Sequence, residues 1–321
     1  MRPTWLEIDL AAVVHNFRLA RQRVGAGVAV YPAIKADGYG LGAVAIARTL
    51  SQAGADGFCV ALIEEAQALL AAGITQPIIL LSGLTAGMEQ LVIQLGLQPL
   101  LHSRDQALRL AASLTPGQQV VAYLKVDSGM GRLGISPERV PTLLRELSSY
   151  PGLQLAGLVS HFACADEPEH PENARQLVRM QQLLAALPPT TSGRPWQISM
   201  ANSAAVLAHP ASHYHWVRPG ILLYGASPFF PQRSWRDEGL RPVVHWISHI
   251  IQLADLPAQH PFGYGHGTTT QRPSRLAQVA VGYGDGYRRC LGNRAQAVVR
   301  GERVPVVGRV CMDLITLDVT D

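Results

Sequence analysis

Apolar runs short enough to be buried strands alternate with longer segments of helical period through residue 225 of the chain. The strand-like runs are "VAVYPAIK" (28–35), "DGFCVA" (56–61), "PIILLS" (77–82), "LQPLLHS" (97–103), "VVAYLKVD" (120–127), "LQLAGLVSHF" (153–162), "WQISMAN" (196–202) and "WVRPGILLYG" (216–225). Helix-length segments such as "GAVAIARTLSQAG", "IEEAQALLAAG", "SRDQALRLAASL" and "SPERVPTLLRELSSY" lie between most of them. Strands alternating with helices in this number predict a (β/α)8 barrel rather than an open sheet. "LPPTTSGRP" at 187–195 reads as a surface loop before the seventh strand.

After about Ser234 the period changes. "VVHWISHIIQLADL", "RLAQVAVGYGDGY", "AQAVVRGERVPVVGRV" and "DLITLDV" are strand-like, broken by Gly and Pro, with little helical periodicity. The expected organisation is a cofactor-binding barrel over 10–234 and an all-β domain over 235–321, with the N-terminal run 2–9 as an added strand of the latter.

Composition narrows the function classes. The chain has 321 residues, 48% hydrophobic and 16% charged, which describes a globular protein with a large core. The net charge of +4 is carried by arginines scattered along the chain rather than gathered in runs, so it is no nucleic-acid footprint and suits a small anionic ligand. Cys59, Cys164, Cys290 and Cys311 form no CxxC pair, which argues against a zinc site or disulfide framework. Glu7 and Asp9 fall where a signal peptide needs an apolar run, and no stretch has the length of a membrane span. These features predict a cytoplasmic protein without a metal, a membrane or a nucleic-acid partner.

In a barrel of this kind reactive groups lie at the C-terminal ends of strands. Those ends carry Lys35, Arg132, His161, Asn202 with Ser203, and Arg218. A lysine emerging from an apolar strand either caps it and reaches water, or serves as an amine that joins a carbonyl compound covalently. "PGI" after Arg218 can offer backbone N–H groups to a phosphate, and lysine with such a cradle suggests pyridoxal phosphate. Each residue also has a plainer reading. Ser203 can be a helix N-cap, His161 a core histidine and Arg218 one side of a rim ion pair.

"AIKADGYGLG", "VDSGMGRLG", "SHFACAD", "ANSAA", "VRPGILLYG", "GYGDGYRR" and "GRVCMD" together resemble the alanine racemases, in order and along essentially the whole chain. The resemblance implies a pyridoxal 5'-phosphate enzyme, a barrel followed by a β domain, and a homodimer whose active sites are shared. It implies that Lys35 carries the cofactor and, once freed, acts as one of two catalytic bases. Tyr39, Ser203, Gly220 and Ile221 would hold the cofactor phosphate, with Tyr224 nearby. His161 would lie near the ring, and Arg132 would bond its phenolic oxygen and serve the substrate. Lys125 matches a lysine that is carbamylated in some members.

Arg218 matches an arginine that faces the ring nitrogen in the family. A guanidinium donates a hydrogen bond there without giving up a proton, which weakens the ring as an electron sink and favours return of the proton to Cα. The second base is implied to be Tyr264, in "HPFGYGHGTTT", contributed by the other subunit. Met312, Asp313 and Tyr283 would contact substrate or line its entrance. The chain ends at "LITLDVTD", where the family continues for several strands, so a truncated β domain is expected. Two alternatives stay open: a protein that binds pyridoxal phosphate without turnover, and a racemase for serine or other amino acids.

Overall fold

A computed structural model describes residues 3–190 and 193–321. Arg2, in the expected strand 2–9, and Thr191–Ser192, in the expected loop 187–195, lie outside the described residues. The chain forms two compact units: one runs from Asp9 to Val243, and the other joins the N-terminal strand to Val244–Asp321.

The chain opens on strand β1 (Thr4–Ile8), which belongs to the second unit. The first unit follows with eight parallel strands: β2 (Ala29–Val30), β3 (Phe58–Val60), β4 (Ile78–Leu80), β5 (Gln98–Leu101), β6 (Val120–Lys125), β7 (Leu153–Val159), β8 (Gln197–Ser199) and β9 (Trp216–Val217). Strands β3 to β8 pair in sequence order, and β2 pairs with β9. Two seams join these sheets into a ring. Ile34 N–H donates to Cys59 O (2.9 Å) on one side, and His215 N–H to Ile198 O (3.1 Å) on the other. The strands are shorter than the apolar runs that announce them, because each run continues into the loop that carries chemistry.

The ring is filled by its own side chains. Ala33, Cys59, Ile79, Leu100, Tyr123, Val159 and Trp216 point inward from seven of the strand segments and form one buried layer. Cys59 is fully buried, and its thiol pKa rises to about 12 through burial. A Cβ on Gly157 would overlap the Gln197 carbonyl, so only glycine lets β7 lie this close to β8.

Helices cover the outside for the reason their period suggests. Leu10–Val24 is capped by Asp9, whose carboxylate accepts from Ala12 N–H (2.9 Å), and it buries Ala12, Val13, Asn16, Phe17 and Ala20 on one stripe. Pro171–Ala185 likewise buries Asn173, Gln176, Met180 and Leu183. No helix among the described residues is long and apolar enough to cross a membrane.

The second unit is all β. β1 pairs antiparallel with β10 (Val244–Ser248), across more than two hundred residues of sequence. Five strands form its main sheet in the order β11 (Ile250–Leu256), β14 (Ser274–Val279), β17 (Ile315–Asp318), β16 (Glu302–Val307) and β15 (Gln296–Val299). A small hairpin, β12 (Pro261–Phe262) with β13 (Thr268–Thr269), stands apart from it. The core is aliphatic: Ala277, Val279, Val281, Val304, Val306, Val310, Ile315 and Leu317. The alternation in β16, with Val304 and Val306 buried and Arg303 and Pro305 exposed, is the period of two that the sequence carries. Each buried valine contributes about 1.5–3 kcal/mol to holding this small sheet together.

Candidate functional site

A cavity of about 700 Å³ opens at the C-terminal end of the barrel, lined by Lys35, Tyr39, Lys125, Arg132, His161 and Arg218 among others. Asn202, Ser203, Gly220 and Ile221 line the same space. Of the barrel residues singled out for the site in the sequence, all but Tyr224 line this one cavity. Five of its side chains, Lys35, Lys125, Arg132, His161 and Arg218, are basic, and Asp166 is the one carboxylate in the lining. The cavity is built for an anion.

Lys35 enters this cavity differently from the expectation of a lysine at the end of a continuous strand. The ladder of β2 stops at Val30, Ala33 forms an isolated bridge with Cys59, and Lys35 begins a turn, Lys35–Gly40. Ala36, Asp37, Gly38 and Tyr39 all have φ between 52° and 64°, a full left-handed turn. Each non-glycine residue in that region costs about 1–2 kcal/mol, so other bonds must hold the turn. Gly38 N–H donates to Ile34 O (2.8 Å), and the Asp37 carboxylate accepts from Ala43 N–H (2.8 Å), tying the turn to the next helix. The Glu65 carboxylate accepts from Ala36 N–H (2.6 Å).

The turn delivers Tyr39 beside Gly220. A Cβ at Gly220 would collide with the Tyr39 hydroxyl, so the chain keeps an open cradle at this point. Ser203, the first residue of the helix Ser203–Ala208, accepts from Gly220 N–H (2.8 Å) and Leu222 N–H (3.3 Å) through its hydroxyl. The N-cap of that helix is Asn202, which accepts from Ala205 N–H (3.0 Å), and this frees Ser203 from the capping role. Tyr224 packs against Tyr39 with ring centroids 4.5 Å apart and donates to Ala33 O (3.0 Å).

Arg218 is 5% exposed and has no carboxylate partner within ion-pair distance among the described residues. Its guanidinium donates instead to neutral acceptors: Ser199 Oγ, Ser160 O (2.7 Å) and His161 Nδ1 (3.2 Å). Burial lowers its pKa to about 10, still high enough to keep it protonated at neutral pH. The bond to Nδ1 makes that nitrogen an acceptor and leaves the His161 proton on Nε2. Burial first, and the charges of Arg218, Lys125, Arg132 and Lys35 after it, hold His161 well below the usual imidazole range.

Lys125 ends β6 in a buried position. Desolvation, then the neighbouring Arg218 and Arg132, push its amine well below the usual lysine range against the opposing pull of Asp127. Burial and two neighbouring guanidinium groups both disfavour the charged form of this amine. Arg132 sits on the exposed loop after β6, which the Asp127 carboxylate shapes by accepting from Gly129, Met130 and Gly131 N–H.

The remaining sequence candidates lie in the β unit. Tyr264, Met312 and Asp313 line a cavity of about 650 Å³ with Gly263, Gly265, His266, Cys311 and Leu314. Tyr283 joins them through the backbone: Tyr283 N–H donates to Cys311 O (3.0 Å) and Gly284 N–H to Met312 O (2.8 Å). Sequence reasoning missed the polar layer beneath the barrel site. Ser160 and Ser199 hold Arg218, while the fully buried Gln176 donates to Ser128 Oγ and His161 O and accepts from Ala163 N–H. Serine and glutamine are too common for any local signal to mark them.

A closed eight-stranded barrel with an amine, two arginines and an anion cradle at its mouth, joined to a β unit, defines a two-domain barrel enzyme. Residues 8–228 match the family described as "Alanine racemase, N-terminal domain", and residues 243–321 match "Alanine racemase, C-terminal domain". The curated alanine racemase of Azoarcus sp. is 42% identical over all of this chain and 87% of its own length; that of Syntrophobacter fumaroxidans is 40% identical, over all of this chain and 84% of its own. Among solved structures, the biosynthetic alanine racemase of Pseudomonas aeruginosa superposes with a TM-score of 0.89 at 38% identity, covering all of this chain and 87% of that one. The Bartonella henselae alanine racemase, solved with covalently bound pyridoxal phosphate, gives 0.87 at 33%, covering 99% and 86%. The chain belongs to the alanine racemase family.

Proposed function

We propose that this protein interconverts L- and D-alanine with pyridoxal 5'-phosphate bound at the mouth of the barrel. The observation that carries the proposal is the cradle of Ser203, Gly220 and Tyr39, in one cavity with Lys35 and the unpaired Arg218. These residues fit the cofactor: hydroxyls and backbone N–H groups for a phosphate, a cation for the ring nitrogen, an amine for the aldehyde. When bound, pyridoxal phosphate supplies an aldehyde that takes an amine covalently and a conjugated ring that draws electrons from the amino acid's Cα.

The chain's own residues do the rest. Ser203, Tyr39, Gly220 and Ile221 would hold the phosphate, the Ser203 hydroxyl having a proton to donate while it accepts from Gly220 N–H. Arg218 donates to the ring nitrogen and keeps its proton, since its pKa of about 10 lies far above neutrality. His161 stays neutral beside the ring, fixed by Arg218. Lys35 Nζ removes or returns the Cα proton on one face of the substrate. Tyr264 Oη of a second copy serves the opposite face, and two faces with two proton carriers make the product a mirror image. Arg132, Met312 and Asp313 bind the substrate, and Tyr283 lines its approach. Lys125, as a carbamate, would place a negative charge between Arg132 and Arg218 and fix both.

In this reading the barrel unit is the cofactor-binding domain and the β unit completes the site of a partner copy in a homodimer. The D-alanine would supply a bacterial cell wall, with the enzyme in the cytoplasm. The test is the absorbance of the purified protein with pyridoxal phosphate, followed in one sample by conversion of L- to D-alanine. A visible band that borohydride fixes, with turnover, is the expected result. A fixed band without turnover would leave a cofactor-binding protein and overturn the catalytic reading.

A further inference from the structure

Glu65 lies on the helix Ile63–Ala71, in the position whose carboxylate ordinarily folds back onto the first turn. One oxygen does this, with Oε2 accepting from Ala61 N–H (2.7 Å) and Leu62 N–H (3.1 Å). Capping would be complete with that oxygen alone. The other, Oε1, spans 29 residues of sequence to accept from Ala36 N–H at 2.6 Å. This is a short, charge-assisted bond, of the stronger kind.

The bonded N–H belongs to the peptide that leaves Lys35. On the other side of the lysine, Ile34 N–H is fixed to Cys59 O (2.9 Å) at the barrel seam. Lys35 is thus gripped on both flanks, by the seam before it and by Glu65 after it. Ala36, at φ 52°, is also the first residue of the left-handed turn, the place where an L-residue most needs an outside bond to stay. Loss of the bond lets Ala36 relax toward φ < 0 and swings the Cα–Cβ direction of Lys35.

We propose that Glu65 is a positioning residue for racemisation, holding the peptide after Lys35 so that the amine points into the barrel cavity. This rests on the reading of Lys35 as one of two proton carriers. Glu65 touches neither cofactor nor substrate and acts only through the lysine.

The test uses the intact protein loaded with pyridoxal phosphate. Glu65→Gln is nearly isosteric, but its amide sets an N–H group against either the Ala36 N–H or the pair at Ala61 and Leu62, so it breaks the grip whichever way it turns. Expected is a fall in kcat of about tenfold or more, since small misplacements of a reacting group are costly. The decisive readout is the kinetic isotope effect with alanine deuterated at Cα. Slowing only the lysine's step raises the effect for one enantiomer and lowers it for the other. A merely structural role, which reduces the folded fraction, moves neither. Glu65→Ala repeats the measurement if the glutamine variant fails to fold, and Glu64→Gln, on the exposed side of the same helix, is the control expected to match wild type. Unchanged isotope effects in a folded Glu65 variant overturn the proposal. Lys35→Ala separates the two readings: if that variant still gives a borohydride-fixed band, the assignment of Lys35 itself is wrong.

Discussion

Two cavities of nearly equal volume, about 700 Å³ at the barrel mouth and about 650 Å³ in the β unit, are built in opposite ways. The first draws on the ends of most barrel strands, buries its central arginine and satisfies it with three neutral acceptors. The second is made from two loop segments, 263–266 and 311–314, and leaves Tyr264 68% and Met312 55% exposed. Buried, bonded charge is preorganised for a ligand before any ligand arrives. Exposed side chains on a glycine-rich loop gain a fixed geometry only when something is laid against them. The contrast fits the proposal that the barrel unit binds the cofactor and that the β unit serves the site of a second copy.

The largest expected effect is that of Lys35→Ala, which on the proposed reading removes both the covalent anchor and one base. Racemisation should fall by about 10⁴-fold, and reduction with borohydride should fix no cofactor to the chain. Tyr264→Phe comes next. Here turnover should drop by about 10²- to 10³-fold while the absorbance of the bound cofactor is untouched. A lost cofactor band in Tyr264→Phe would erase the division between the cavities. Confirmed heterodimers of the two variants should recover one working site, which sharpens it further.

The smallest effect is one of pH. The folded chain holds Lys125 well below the ordinary 10.5, whereas the unfolded chain does not. Between the two values the unfolded state binds the extra proton, so stability rises with pH through this window and levels off above it. Urea midpoints in carbonate-free buffer between about pH 7 and 9 should therefore climb for wild type and stay flatter for Lys125→Met. Equal slopes would show that Lys125 is not the buried amine the barrel site contains.

Much of this site was legible because parallel strands announce themselves. Lys35, His161 and Arg218 each follow an apolar run, and a barrel places such residues on one rim. The β-unit strands were legible as strand-like runs broken by Gly and Pro, with little helical period. What stayed hidden depends on distance in sequence. Nothing in "TWLEI" says that its partner is "VHWIS", and nothing at Glu65 points to Ala36. The handedness of the turn after Lys35 was hidden for another reason. Only Asp37 and Gly38 are common in left-handed geometry, while Ala36 and Tyr39 are there because the surroundings hold them.

That turn also sets which replacements the gene can accept. At 36, 37 and 39 a valine, isoleucine or threonine would meet its own backbone, whatever its chemistry. Glycine, asparagine and aspartate would pass this steric filter. The alphabet beside Lys35 is therefore narrow for a purely geometric reason, and a search for altered substrate preference has little to gain by randomising 36–39. Its variants would mostly be lost before they met a substrate. Ser227 and Leu81 in the cavity wall carry no such conformational restriction and offer the better ground for change.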